Sequence, residues 1–320
     1  MLRSSLIYLS KADWARQVVT RWSFAWRAAS RFIAGEKLED AIDVVRTLNQ
    51  KGINTTLDHL GEHTTSEENA IQAAQDVADI LDCIHLASVR SNVSIKLTQI
   101  GLSVDEELCQ ANLQRILQRA KEIGSFVRID MEDSPWVDKT LALFREMRET
   151  YGFRNVGVVI QTYLYRSEDD IRRLGEDGAR IRLCKGAYKE PAEIAYPKKA
   201  DVDANFDRLA GILMDYSLKQ GCPEISENGI IPPLPALATH DELRIDFAKE
   251  YARKIGLPKK ALEFQMLHGI RRDLQESLAE EGYPVRVYVP YGTEWYPYFT
   301  RRLAERPANL WFFLSNLVRQ

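Results

Sequence analysis

From residue 52 onward, the sequence repeats a short apolar run, a polar turn and a longer stretch with helical periodicity. The runs are rich in Val, Ile and Leu and are bounded by turn residues, which is typical of buried strands. They occupy residues 53–60, 92–98, 125–131, 155–161, 179–185, 235–240, 262–267 and 284–290. The pattern therefore predicts eight strands, each followed by a helix.

The stretches between the runs have one apolar face. After the second run, Leu108, Leu113, Ile116, Leu117 and Ala120 are spaced to face a core, and the last helix is expected at about 294–304. Alternating strands and helices predict an α/β protein, here a (β/α)8 TIM barrel over residues 52–320. A doubly wound sheet is the alternative, but it usually carries a G-x-G-x-x-G turn, which this sequence lacks.

Residues 1–51 are predicted to form an N-terminal helical arm. Its apolar stripe consists of Trp14, Val18, Trp22, Ala25, Trp26, Ala29 and Ile33, and arginines lie off that stripe. Such a basic amphipathic helix packs against the protein itself or a sister subunit, or it lies on a membrane surface. We expect packing, and membrane contact is the alternative.

Composition excludes several classes of protein. The net charge of −3 does not indicate a nucleic-acid-binding surface. Four cysteines without metal-site spacing indicate free thiols in a reducing cytoplasm, and no run reaches the ~20 apolar residues of a membrane span. The H-x-x-E-H sequence at 59–63 matches a zinc pattern, but Gly61 favours a turn there, so no metal site is predicted.

Candidate functional residues stand at the carboxyl ends of the strands, where barrel enzymes build their active sites. These residues are Lys96, Asp130, Gln161, Arg182, Lys185, Gly186, Ala187, Tyr188, Thr239, His240, Leu267, His268, Gly269 and Tyr288. Because Lys96 and Lys185 both follow strands, a Schiff-base aldolase is one possible activity.

A second group lies on the last helix. Tyr298, Arg301, Arg302 and Glu305 are three or four residues apart and therefore share a face. Two guanidinium groups can grip one small anion, and Glu305 can fix their rotamers. Taken alone, the group reads as a solvated surface pair. With Lys96 and Tyr288 at the same mouth, we interpret it as an anion clamp.

Seven segments, in order, resemble the proline dehydrogenase family, in its short monofunctional bacterial form. They are SIKLTQIG, RIDMEDSP, IQTYLYR, RLCKGAYKEP, LATHD, FQMLHGI and YVPYGTEWYPYFTRRLAERP, within about residues 53–310. The resemblance implies oxidation of L-proline to 1-pyrroline-5-carboxylate by FAD bound without a Rossmann fold. Hydride would pass from ring C5 to flavin N5, and the electrons would go on to membrane quinone.

The resemblance also implies roles for the candidate residues. Lys96, Arg301 and Arg302 would hold the proline carboxylate, Glu305 would orient the arginines, and Leu267, Tyr288 and Tyr298 would wall the ring. The cofactor would contact Asp130, Met131, Gln161, Arg182, Lys185, Gly186, Ala187, Tyr188, Thr239 and His240, with Asp130 and Arg182 as the catalytic candidates. Two positions depart from the family pattern, Cys184 for an aliphatic residue and Asp241 for Asn.

Three other activities remain open at this point. A different flavin barrel, similar to methylenetetrahydrofolate reductase, would need a wide cleft for a pterin. A Schiff-base aldolase would be colourless. A barrel without its cofactor would be a binding scaffold, but the retention of every expected polar position argues against this. Homo-oligomerisation is possible and is not fixed by the sequence.

Overall fold

A closed parallel barrel with surrounding helices forms the body of the molecule. The computed structural model describes residues 23–61 and 64–305, with side chains from residue 26 to residue 302. The strands are β1 Asn54–His59, β2 Ser91–Ile95, β3 Val127–Ile129, β4 Val156–Gln161, β5 Arg180–Cys184, β6 Pro235–Ala238, β7 Glu263–Leu267 and β8 Val285–Tyr291. The helices are α1 Ser23–Ala29, α2 Leu38–Gln50, α3 Glu67–Leu86, α4 Glu106–Glu122, α5 Ser134–Glu149, α6 Ser167–Glu176, α7 Lys199–Lys219, α8 Glu242–Ile255, α9 Arg272–Glu280 and α10 Trp295–Glu305.

The strands pair in sequence order, and β1 closes the ring by pairing with β8 over its whole length, from Asn54 opposite Arg286 to His59 opposite Tyr291. The TIM barrel expected from the pattern is therefore confirmed. The largest difference in strand length is at β3, which is Val127–Ile129 instead of 125–131, and β2 ends at Ile95 instead of residue 98. A turn begins at Lys96, whose carbonyl accepts a hydrogen bond of 3.2 Å from the amide of Gln99.

Local sequence signals set the helix ends. The side chains of Ser66 and Asp105 accept hydrogen bonds from the third amide of α3 and α4, so each satisfies a backbone donor that a helix start leaves unpaired. Gly256 ends α8 in the left-handed conformation, at φ +74°. Of the apolar face predicted for α4, Leu113, Ile116, Leu117 and Ala120 are fully buried and Leu108 is half-buried.

The segment between α7 and β6 closes the amino-terminal end of the barrel. The carbonyl of Ile230 accepts a 2.7 Å hydrogen bond from Asn92, and that of Gly229 accepts one of 2.7 Å from Arg286. Arg286 also pairs at 3.0 Å with Glu263, and both side chains are almost fully buried. The proline-rich loop at 222–235 therefore lies at the end of the barrel opposite the strand ends that carry the candidate site.

The described part of the N-terminal arm packs on α10. The rings of Trp26 and Trp295 have centroids 5.4 Å apart, and those of Phe32 and Phe299 are 6.4 Å apart. The chain after α1 joins the rim of the barrel, where the amide of Ala34 bonds to the carbonyl of Pro290 at 2.9 Å. Trp14, Val18 and Trp22, which the arm prediction also included, and the side chain of Ala25 lie outside the described residues. The 51/52 boundary between arm and barrel stays a prediction.

Candidate active site

A cavity of about 620 Å³ opens at the carboxyl ends of the strands. A volume of this size suits a small-molecule or cofactor site. The predicted residues in its wall are Lys96, Asp130, Met131, Gln161, Arg182, Lys185, Gly186, Ala187, Tyr188, Thr239, His240, Leu267, Tyr288 and Arg302. Six wall residues were not predicted as site residues: Val159, Cys184, Ala238, Asp241, Gln265 and Met266.

Asp130 links the strands at the floor of this cavity. Its Oδ1 accepts hydrogen bonds from Arg182 Nη1 at 2.7 Å and Ser94 Oγ at 3.1 Å, and its Oδ2 accepts one from the hydroxyl of Tyr288 at 2.8 Å. Arg182 is held from the other side by Gln265 Oε1, which lies 2.5 Å from its Nε. The guanidinium of Arg182 is therefore fixed in position before any ligand binds.

A second ion pair lies across the cavity, between β1 and the turn after β2. Lys96 Nζ is 3.3 Å from Oδ1 of Asp58, a carboxylate that is only 1% exposed. Burial is the largest cause that raises the pKa of Asp58. Burial alone would lower the pKa of Lys96, but Asp58 and then Asp130 outweigh it, so the pKa is raised and the ammonium stays charged.

This charge bears on the aldolase alternative. A Schiff-base lysine must lose its proton near neutral pH, so such enzymes lower the pKa of the reacting amine. The raised pKa of Lys96 is the opposite arrangement. Asp58, which raises this pKa, is not among the predicted site residues. It lies near the carboxyl end of β1, just as the predicted residues lie near the carboxyl ends of their strands.

Lys185 is held at the rim by carboxylates from two helix starts. Its Nζ contacts Asp203 in α7 and Asp241 before α8, the latter at 2.7 Å. Burial would raise the pKa of Asp203, but hydrogen bonds from Lys185 and Lys199 lower it overall. Asp241, which departs from the family pattern, also caps α8 through the amide of Leu243 at 3.2 Å. Asp203 has no signal in the sequence, because it is one acid among several in an amphipathic helix.

The wall of the cavity has an unused acceptor and a close backbone approach. Gln161 Nε2 donates to the carbonyls of Met131 and Glu132 at 3.1 and 2.9 Å, whereas its buried Oε1 has no hydrogen-bond partner among the described residues. Gly186 has φ +109°, and a Cβ there would lie 2.4 Å from the ring of Tyr163. Only glycine lets this backbone segment border the cavity.

His240 and Leu267 are fixed to each other at the same level. The backbone amide of Leu267 donates a 3.0 Å hydrogen bond to Nε2 of His240. That contact makes Nε2 the acceptor, so a neutral His240 carries its proton on Nδ1. Tyr188, another wall residue, has its pKa raised to about 12, chiefly by burial.

Helix α10 covers one side of the cavity. Arg302 lines it, with the guanidinium carbon 5.1 Å from the centre of the Tyr298 ring. Arg301 and Tyr298 do not line it, although the charge of Arg301 acts on Tyr188 and lowers the pKa of that phenol against the effect of burial. Glu305 belongs to α10, but its side chain lies outside the described residues.

The apolar underside of α10 is where the N-terminal arm contacts the site. One buried cluster contains Phe32, Trp295 and Phe299, and Leu267 packs against it. The helix that carries Arg301 and Arg302 is thus held partly by α1.

Neither a metal site nor a membrane-spanning helix is found among the described residues. None of their His, Cys, Asp and Glu side chains form a group that could hold a metal ion. Of the H-x-x-E-H pattern, Glu62 and His63 fall outside the description, and the ring of His59 stacks on Tyr291 with centroids 5.1 Å apart. A search of the same residues finds no helix with the length and apolar character needed to cross a membrane.

Comparison with known proteins gives a consistent result. The sequence model of the proline dehydrogenase family matches residues 41–314. Proline dehydrogenase of Deinococcus radiodurans is 45% identical over 92% of this chain and 91% of its own length. Proline dehydrogenase 1 of Bacillus subtilis strain 168 is 39% identical over the full length of both chains.

Among solved structures, proline utilization A from Bdellovibrio bacteriovorus, inactivated by N-propargylglycine, superposes with a TM-score of 0.79. It is 27% identical, and the match covers 88% of this chain and 33% of that one. Enzymes of this kind generally use FAD. The matched region contains the whole barrel and the cavity at its mouth, and the chain belongs to the proline dehydrogenase family.

Proposed function

We propose that the cavity at the mouth of the barrel is where this chain, a proline dehydrogenase, oxidises proline to 1-pyrroline-5-carboxylate. One observation carries the proposal. Lys96 and Arg302, two cations, line the same cavity as the Asp130–Arg182 pair. Lys96 and Arg302 can bind the carboxylate of an amino acid. The ring of a bound proline would then lie between these two cations and the Asp130–Arg182 pair.

The substrate carboxylate is bound by Lys96 and Arg302, with Arg301 from the same helix. Lys96 keeps its charge because Asp58 is beside it, and Arg302 is oriented by stacking on Tyr298. Leu267 and Tyr288 line the cavity next to this group and form the wall against the ring. Fixing the carboxylate and one ring face restricts the substrate to one orientation, which is the main contribution a protein makes to such a reaction.

The wall residues fit FAD. Gln161 Oε1 is an unused buried acceptor, as a flavin N–H requires, and the backbone at Gly186 and Ala187 can approach a large planar group or a phosphate. The flavin ring and the phosphates would be held by Asp130, Met131, Gln161, Arg182, Tyr188 and the segment from Lys185 to Ala187. The dinucleotide tail would contact Thr239 and His240. When bound, FAD would supply the acceptor for a hydride, which carries both electrons of the oxidation. Arg182, fixed by Asp130 and Gln265, places a permanent positive charge where negative charge then accumulates.

The further partners are part of the same proposal. The electrons pass on to a membrane quinone, and the basic amphipathic N-terminal arm supplies a transient contact with the membrane surface. Residues 26–33 of the arm pack on α10, and a sister subunit is the alternative partner for the arm. The four cysteines are free thiols, which supports a location in the cytoplasm at the inner face of the membrane.

An absorbance spectrum tests the proposal. We expect purified protein supplied with FAD to be yellow, and anaerobic addition of proline to bleach the flavin band. Methyltetrahydrofolate should leave the band unchanged, which separates this enzyme from the other flavin barrel. Flavin that stays oxidised in excess proline, or protein that does not retain FAD, would contradict the proposed site.

A further inference from the structure

A second polar cavity lies at the opposite end of the barrel, near the starts of β4 and β5. It consists of two adjoining lobes of about 260 Å³ each, which share Arg148, Arg154, Asp177 and Gln220 in their walls. Arg180, the first residue of β5, lines one of the lobes. We refer to the site formed by Arg148, Arg154 and Arg180 as the basic cleft.

The arginines of the basic cleft have no ion-pair partner. No Asp or Glu among the described residues lies within ion-pair distance of Arg148, Arg154 or Arg180, whereas the buried Arg182 and Arg286 each have such a partner. Glu149, Glu176 and Asp177 also line the cleft, and all three are exposed. For both Arg148 and Arg180, the largest effect from another charge comes from a neighbouring guanidinium.

The electrostatic result is a lowered pKa at two of the arginines. Burial is the first cause and a neighbouring guanidinium the second, Arg154 for Arg148 and Arg148 for Arg180. Asp177 and Glu149 oppose the effect at Arg148 without cancelling it. An anion placed among these groups would remove the repulsion.

Hydrogen bonding in the cleft is also incomplete. Arg148 is 5% exposed, and its Nη2 donates 2.7 Å to the carbonyl of Asp177. Arg180 Nη1 is buried and makes no hydrogen bond to any residue that the structure describes. An unused buried donor of a charged group is costly, so a ligand that accepts from it would bind with a gain. The hydrogen bond to the carbonyl of Asp177 gives Arg148 a structural role, but it gives none to Arg154 or Arg180.

We propose that the basic cleft binds a phosphoryl group, a dianion whose oxygens can each accept from a guanidinium fork. Three arginines exceed what a single carboxylate can pair with. The two lobes together hold more than inorganic phosphate, so the group can be free phosphate or the phosphoryl end of a small metabolite. The site is separate from the cavity at the mouth, because β5 begins at Arg180 in the cleft and ends at Cys184 in the mouth cavity.

Thermal unfolding of the FAD-loaded protein tests this. Circular dichroism would be followed with excess FAD, at constant pH and ionic strength, while chloride is replaced by phosphate or by glycerol phosphate. We expect a saturable rise in Tm, and about tenfold weaker binding in Arg154→Ala, because one charged hydrogen-bond donor is lost. Arg154 is exposed, so this variant should fold. Arg253→Ala, an exposed arginine on α8, should behave as the unchanged protein.

The two anions distinguish the sources of the group. Tighter binding of glycerol phosphate identifies a phosphorylated metabolite, and tighter binding of inorganic phosphate identifies the free ion. Phosphorus-31 line broadening should show the same order of affinities without heating the protein. Equal phosphate dependence in Arg154→Ala and the unchanged protein, or no Tm change beyond that of chloride, would overturn the proposal.

Discussion

The hydroxyl of Tyr288, on β8, donates a hydrogen bond of 2.8 Å to Oδ2 of Asp130, which directly follows β3. The phenol is therefore held in one position at the cavity wall, with the Arg182 guanidinium 5.4 Å from its ring centre. Because Asp130 holds both the Tyr288 hydroxyl and the Arg182 guanidinium, the shape of the cavity and its charge depend on the same carboxylate.

Replacing Tyr288 should change which rings the cavity accepts. Tyr288→Ser opens space beside the ring and exposes polar atoms of Asp130, so we expect kcat/KM for 4-hydroxyproline relative to proline to rise about tenfold. Tyr288→Phe is the matched control, since it removes the same hydrogen bond but keeps the ring. Steady-state kinetics with both substrates measure the ratio. If Ser and Phe variants have the same ratio, Tyr288 is not a wall of the substrate site.

Removing Asp58 should make proline binding sensitive to alkaline pH. Lys96 is charged below its pKa, which Asp58 raises, so the unchanged enzyme keeps the ammonium throughout the working range. In Asp58→Asn burial dominates and the pKa of Lys96 falls, so the charge is lost as pH rises through the lowered value.

We therefore expect the ratio of KM for proline, variant over unchanged enzyme, to increase with pH between about 7 and 9. Asp79→Asn, an exposed carboxylate on α3, is the control. A KM ratio that is constant with pH would show that Lys96 does not need Asp58 to hold its charge.

Arg302→Met should weaken proline binding and leave the cofactor in place. Arg302 lines the cavity and carries a charge that methionine lacks, so we expect KM for proline to rise about 100-fold, as when one partner of a buried charge pair is removed. The flavin absorbance per protein should not change. Arg173→Met, on the exposed face of α6, controls for loss of an arginine. Loss of flavin with unchanged KM would assign Arg302 to the cofactor instead.

The barrel architecture could be predicted from the sequence because eight short runs with Val, Ile or Leu alternate with longer stretches of helical periodicity. The same reasoning located Lys96, Arg182 and Lys185, since barrel strands place their last residues at one mouth. Roles for these residues came from resemblance to a family, because a polar residue at a strand end has no distinctive spacing.

The partners of these residues were harder to infer. Asp203, which holds Lys185, belongs to a helix whose acids alternate with other polar residues, and only the folded chain brings the two together. Gln265 is in the middle of β7 and would be read as part of the strand, yet it fixes Arg182. Contacts between residues 83 positions apart depend on register, which the pattern of a single strand does not contain.

Trp26→Ala should affect substrate binding from a distance. Trp26 is half-buried and packs on Trp295 at the start of α10, so its loss should cost about 1–2 kcal/mol of unfolding free energy and loosen the helix that carries Arg302. We expect KM for proline to rise several-fold with little change in kcat. Leu86→Ala, at a residue that is 82% exposed, is the control. A lower Tm with unchanged KM would show that the arm stabilises the fold without positioning α10.

His268 should make the enzyme less stable in acid. Burial is the main reason why its pKa falls to about 4, with a smaller contribution from Arg272. The unfolded chain takes up a proton at about pH 6.5, whereas the folded one does so only near pH 4, so stability is lost as pH falls across this window. The full loss amounts to roughly 3 kcal/mol, at about 1.4 kcal/mol for each unit of pKa shift.

Asp207 works in the opposite direction, because burial raises its pKa to about 6 and the folded chain binds that proton first as pH falls. The pH dependence of stability must therefore be compared between the unchanged enzyme and a variant that lacks only His268. Urea unfolding from pH 7 to pH 4 should show a steeper loss for the unchanged enzyme than for His268→Asn, while His85→Asn on the exposed side of α3 should follow the unchanged enzyme. Parallel curves for His268→Asn and the unchanged enzyme would mean that His268 titrates at the same pH in the folded and unfolded chain.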